Sequence, residues 1–177
     1  VVMTRHGRGG VTRAWLGSAA DAMVRESRIP VLLVRPEKRG DEEVAKERFE
    51  RILIPLDGSK PAEQIVAHAV AVGGKEASYE LVKVTSPDNV SPEDAKGYGF
   101  QTGQDSVVLE RKRVKEYLEG IAGKLREEGY DVSTDVIGAL RPARGILDHA
   151  AESGADLIAI ATQGRGGLRR LLIGSVA

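Results

Sequence analysis

Apolar positions along the chain follow two alternating periods, one of strands and one of helices. Arg51-Ile-Leu-Ile-Pro-Leu-Asp57 is a nearly continuous apolar run, the mark of a strand buried on both faces, and it ends in a Gly58-Ser59 turn. Ser59 stands where an N-cap belongs, Pro61 suits a first helical turn, and Ile65, Val66, Ala69 and Val72 share one helical face until Gly73-Gly74 stops it. Tyr79 to Thr85 alternates as a strand. Residues 86–104 are turn-rich and without period, a long loop of the kind that covers a site. Val107, Val114, Leu118, Ile121 and Leu125 mark a long amphipathic helix closed by Gly129. A strand from Tyr130 to Gly138 follows, then a helix opened by Pro142, carrying Ile146, Leu147, Ala150 and Ala151 and ended by Gly154. Asp156-Leu-Ile-Ala-Ile-Ala161 is the most apolar strand of the chain.

The first 36 residues hold a shorter version of the same grammar: the end of a strand, a glycine-rich stretch, a helix over 17–27 with Leu16, Ala19, Ala20, Met23 and Val24 at its spacing, and a strand Pro30–Pro36. The flanking prolines of that strand suggest a sheet edge. Residues 37–48 are charged and aperiodic, a linker. Strand–helix alternation predicts an α/β fold, a Rossmann-like open parallel sheet with helices on both faces. It has five strands when one of the Pro30–Pro36 kind completes the four in 49–177.

Composition narrows the function. There is no cysteine, which excludes disulfides, thiolate catalysis and Cys-held metal and fits a reducing compartment, so a cytoplasmic location is expected. Lysine plus arginine and aspartate plus glutamate each number 26, so no overall field points to nucleic acid or an anionic membrane. No apolar run reaches the roughly 18 residues of a membrane span. The first 36 residues are locally basic, with six arginines against Asp21 and Glu26, which reads first as a solvated helix face. Aromatic residues make up only 4%, leaving the core to Val, Ile, Leu and Ala.

One stretch occurs twice. Residues 4–20, TRHGRGGVTRAWLGSAA, and residues 161–177, ATQGRGGLRRLLIGSVA, agree at eight of 17 positions. In both, Gly-Arg-Gly-Gly follows an apolar strand and Gly-Ser opens a helix, in the spacing Gly-x9-Gly-Ser. Glycines let backbone amides approach a phosphate, and a Gly-Ser helix start adds free N–H groups, a hydroxyl and the positive end of the helix dipole. A tight turn that binds nothing is the alternative. Neither a P-loop nor a G-x-G-x-x-G dinucleotide fingerprint follows any strand. His6, His68 and His149 are scattered without ligand spacing, Asp148-His149 diverges on its helix, and no nucleophile–base arrangement stands out, so neither a metal site nor an enzyme is expected.

These features together resemble the universal stress protein family, whose nucleotide-binding members carry G-x-x-G-x9-G-[ST] between the fourth strand and the fourth helix. They open with a strand like Ile52-Leu-Ile-Pro-Leu-Asp57-Gly-Ser59 and close with one like Pro30-Val-Leu-Leu-Val-Arg35. The resemblance covers nearly the whole chain except the linker. It implies that residues 1–36 are the end of one such domain and 49–177 a second domain that stops within its last helix, as in a piece of a tandem protein. In a permuted alternative the leading helix and strand complete the second domain, and the 12-residue linker, reaching about 40 Å, would allow it.

The resemblance also implies ATP as ligand, with or without Mg2+. Its adenosine end would lie at Pro55, Leu56, Asp57 and Val84, and its triphosphate at Ala161, Thr162, Gln163, Gly164, Arg165, Gly166, Gly167, Gly174, Ser175, Val176 and Ala177. A second loop would comprise His6, Gly7, Arg8, Gly10, Gly17 and Ser18. Asp57 could accept from ribose hydroxyls or the adenine amine, or simply cap its own turn. The family's first glycine is Ala161 in one copy and Thr4 in the other, a departure at the phosphate loop. A regulatory stress-response protein, homodimeric or pseudo-dimeric through strands like Pro30–Pro36, is implied. The alternative is the same fold without nucleotide, acting as a dimeric interaction module.

Overall fold

The computed structural model describes residues 2–4, 27, 30–34, 48–85 and 103–161. The chain divides into two compact units, Val1–Glu47 and Arg48–Ala177. In the first, β1 (Val2–Thr4) pairs in parallel with β2 (Leu32–Val34), with Val2 opposite Leu32 and Thr4 opposite Val34. Parallel neighbours require a crossover, which is what the intervening glycine stretch and predicted helix provide room for. That stretch and helix, like the linker and the 86–102 part of the long loop, lie outside the described residues.

The second unit runs β3 (Arg51–Pro55), α1 (Lys60–Gly73), β4 (Ser78–Thr85), α2 (Gly103–Glu127), β5 (Asp131–Gly138), α3 (Pro142–Ser153) and β6 (Leu157–Ile158). All strands pair in parallel in the order β5-β4-β3-β6. The chain thus starts at the centre of the sheet, moves outward to β5 and returns to the far side of β3. Right-handed crossovers made in opposite directions put their helices on opposite faces. The core shows this partition. Ile52, Ile54, Tyr79 and Leu81 pack with Ala62, Val66 and Ala69 of α1 and with Val114, Leu118, Ala122 and Leu125 of α2. Leu53 and Val82 on the other face pack with Ile146 and Ala150 of α3.

Local chemistry sets the boundaries. Ser59 caps α1, its hydroxyl accepting from the Ala62 amide at 3.3 Å, with Pro61 in the first turn. Gly74 (φ +70°) and Gly154 (φ +67°) end α1 and α3 in left-handed backbone that a Cβ would strain. Three helical faces differ from the pattern read in the sequence. Val72 and Leu147 are more than half exposed and Val107 is 44% exposed, while Ala62 takes a core position. Small spacing errors rotate a residue off a narrow apolar stripe.

The last strand is also shorter than the apolar run 156–161. Its pairing extends past β6 nonetheless, through Asp156 N to Arg51 O (3.0 Å) and Ala159 N to Leu53 O (2.9 Å). The Asp156 carboxylate accepts from the Glu50 and Arg51 amides at 2.9 and 3.1 Å, fastening the start of β6 to the start of β3. Among the described residues no helix is long and apolar enough to cross a membrane.

Candidate functional site

The order β5-β4-β3-β6 has one place where the direction of strand addition reverses, between β3 and β6. The crossovers leave that point on opposite faces, so a crevice opens beyond the carboxyl ends of these two strands, where open α/β sheets take their ligands. Pro55, Leu56 and Asp57 stand at that end of β3. Ala161 follows β6, and Val84 lies at the same end of β4. The fold therefore gathers five residues singled out in the sequence onto neighbouring strand ends. The others, Thr162 to Gly167, Gly174 to Ala177 and the earlier loop from His6 to Ser18, lie outside the described residues. Thr4 is the last residue of β1.

These five residues differ in what they can present. Pro55 and Leu56 are buried, Leu56 within the core under α1 and α2, so their side chains face the protein. Val84 packs on the α3 side and Ala161 against the α1/α2 core. Asp57 is half-buried and its Oδ1 accepts from the Ser59 amide at 2.8 Å, an Asx turn that leads into the Ser59 cap. The local role considered for Asp57 is therefore present, and it fixes the carboxylate at the lip of the crevice. Gly58 holds φ +88°, a left-handed conformation that glycine adopts without strain.

Lys83 was missed in the sequence. A Cβ placed on Gly58 would lie 3.1 Å from the Lys83 ammonium, so a positive charge sits against the turn that follows β3. The ammonium also lies 5.6 Å from the centroid of the Tyr117 ring, whose hydroxyl donates to Glu63 Oε1 at 3.0 Å. The signal was available: Lys83 shares the strand face of the buried Tyr79 and Leu81, and a lysine at an inward register position near a strand's end is unusual.

A second gathering lies on the α3 face of the sheet. Glu80 of β4, Asp135 of β5 and His149 of α3 each bring one ligand-type atom within 4.8 Å of the other two. His149 Nε2 stands 3.0 Å from Glu80 Oε1. Spacing along the chain hides this cluster, because its members come from three elements.

A parallel sheet in the order β5-β4-β3-β6 with helices on both faces defines the class of protein, a doubly wound α/β domain. The comparisons give the family. The model of the universal stress protein family matches residues 1–35 and 48–177, and the chain belongs to that family. Universal stress protein Mb2028c of Mycobacterium bovis is 31% identical over 181 residues, covering 100% of this chain and 56% of its own length. The chain thus spans about half the length of the mycobacterial relatives it matches. Universal stress protein Sll1388 of Synechocystis is 30% identical over 140 residues, with 73% of this chain and 88% of its own covered. Among solved structures, the hypothetical protein MJ0577 superposes with a TM-score of 0.59 at 22% identity, covering 72% of this chain and 88% of its own. UspA from Lactobacillus plantarum gives 0.58 at 18%, covering 73% and 89%. Both share the fold.

Proposed function

We propose that this universal stress protein binds ATP in the crevice between β3 and β6 and acts as a cytoplasmic, stress-responsive regulator rather than as an enzyme. The observation that carries this reading is the strand order. It sets Asp57 and Ala161 at the ends of adjacent strands on either side of the switch point, with the Gly-x9-Gly-Ser stretch next in sequence. Asp57, oriented by its own turn, is the group that would accept from ribose hydroxyls or an exocyclic amine. The glycine stretch would supply backbone amides, and the helix start its sequence predicts would add free N–H groups, for the phosphates, whose charge Mg2+ would share. Nucleotide occupancy would then be reported through dimerisation or partner choice.

One observation favours a second reading. The family's first loop glycine is Ala161, and Asp57 already serves the turn before α1, so the same residues suit a fold without nucleotide that acts as an interaction module. Calorimetric titration of the folded chain with Mg-ATP separates the two. Gly174→Asp, which sets bulk and negative charge where the triphosphate belongs, is the control. Saturable binding that the variant loses supports the nucleotide site. No binding by protein with native circular dichroism overturns it and leaves the interaction module.

A further inference from the structure

We propose that Glu80, Asp135 and His149 bind one divalent transition-metal cation of borderline softness, Zn2+ being the reference, on the face of the sheet opposite α1 and α2. The proposal is independent of the nucleotide crevice, since Glu80 lies near the amino end of β4 and the crevice at the carboxyl ends.

The first observation is the donor set. One imidazole nitrogen and two carboxylate oxygens, from three separate elements, lie within 4.8 Å of one another. Bond lengths of about 2.0–2.2 Å hold the ligand atoms of one such ion roughly 3–4 Å apart, so rotations moving atoms by about 1 Å would complete the shell. Asp135 is exposed and free to make that adjustment, while His149 and Glu80 are largely enclosed. The Val136 amide donates to Asp135 Oδ1 at 2.8 Å, which steers the carboxylate as outer partners of metal ligands do. An imidazole with two carboxylates suits Zn2+, Co2+, Ni2+ or Mn2+ better than Ca2+ or Mg2+, which take oxygen-rich shells.

The second observation concerns His149 itself. Its Nε2 is sealed from solvent and has no hydrogen-bond partner, although Glu80 Oε1 is only 3.0 Å away. The contact with that oxygen is an ion pair only when the ring is protonated. A buried ring nitrogen left this way is destabilising unless something uses its lone pair. A cation in the ring plane, flanked by the two carboxylates, does so and neutralises both acids.

The third observation is access. A cleft of about 200 Å³ opens beside Glu80, lined also by Arg51, Ser78, Ser133 and Ser153. The Ser153 hydroxyl on its wall is likewise buried and without a partner. Three protein ligands leave coordination positions open for water, and the cleft reaches the cluster at Glu80, the one ligand of the three that lines it. Bound metal would tie α3 to β4 and β5.

The test uses the full chain, stripped with a chelator and titrated with Zn2+ alone, against a chromophoric competitor and by NMR of the histidine rings. The expected result is one Zn2+ per chain, with His149 resonances shifting at substoichiometric metal while those of His6 and His68 stay put. Glu80→Gln and Asp135→Asn should each weaken binding at least tenfold, and Co2+ should give a visible absorption band in the wild type. Asp135→Asn is an exposed change that leaves the core alone, so at least one variant reads binding in folded protein. An unmoved His149 ring at one equivalent of Zn2+, or undiminished binding in both variants, overturns the proposal and leaves a bare acid–histidine pair.

Discussion

Gly73 closes α1, and replacing it by alanine sets two effects against each other. In a helix interior alanine is favoured over glycine by up to about 1 kcal/mol, less at the last helical position. The packing runs the other way. A Cβ on Gly73 would fall inside 3.0 Å of Ile52 Cδ1, 2.6 Å from the Tyr79 hydroxyl and 3.0 Å from Ala77 Cβ. Ile52 and Tyr79 are each 1% exposed and have nowhere to go. Displacing Tyr79 also disturbs its hydroxyl's hydrogen bond to the Gly74 carbonyl and its edge-to-face contact with Tyr130, whose ring centroid is 5.8 Å away. Overpacking a full core costs about 1–3 kcal/mol, and a strained buried hydrogen bond about 1 more. The net expectation for Gly73→Ala is a loss of about 1–3 kcal/mol, or roughly 3–10 °C in Tm for a chain of this size. Urea unfolding followed by far-ultraviolet circular dichroism measures it. Gly120→Ala is the reference, because nothing lies within 4 Å of a Cβ there, so propensity acts alone and the variant should gain up to about 1 kcal/mol. A Gly73→Ala protein as stable as the wild type would refute the packing argument.

Two further outcomes concern pH. Burial raises the Tyr79 phenol above its ordinary value, helped by the neighbouring Tyr130. Its stabilising contribution is thus whole below the unfolded tyrosine value of about 10 and fades as pH rises through the higher folded one, and an alkaline titration of Tyr79→Phe should lack that part of the decline. Tyr79→Phe should itself cost about 1 kcal/mol at neutral pH by leaving the Gly74 carbonyl without its donor. Glu119 is held below the ordinary glutamate value, first by its hydrogen bond from Arg126 at 2.7 Å and then by that from Thr134. Its contribution is complete above about pH 4.3 and lost as pH falls through the lower folded value, so Glu119→Gln should flatten the acid limb slightly, the pair being well exposed.

Much of the second unit was legible because its signals are local. Ser59 before Pro61, glycines after α1 and α3, and the strand pattern over Tyr79–Thr85 all act within a few residues, and each element appears where the pattern put it. Individual face positions were less legible, as Val72 near the end of α1 and Leu147 in the middle of α3 show, because burial depends on what the neighbouring element covers. The strand ends at the crevice were readable once the β–α alternation was read as parallel. Lys83 and the Glu80–Asp135–His149 cluster were not, for a different reason. Their meaning arises from register between strands, with Val82 opposite Asp135 and Glu80 two residues from it across β4 and β5, and from the rotation of α3 above them. A linear scan for ligand spacing does not contain those offsets.

The Asp156 clamp reaches beyond geometry into the order of assembly. Its hydrogen bonds to Glu50 and Arg51 span more than a hundred residues, and they close β3 against β6, the last strand among the described residues. During vectorial synthesis β3, α1 and β4 can associate early, yet β3 keeps one open edge until residues near 159 have emerged. High contact order at this seam makes its closure a late and slow event. Because the crevice lies at that same seam, any ligand that requires both of its walls can engage only a chain in which β6 has docked on β3, and its binding doubles as a report of that docking.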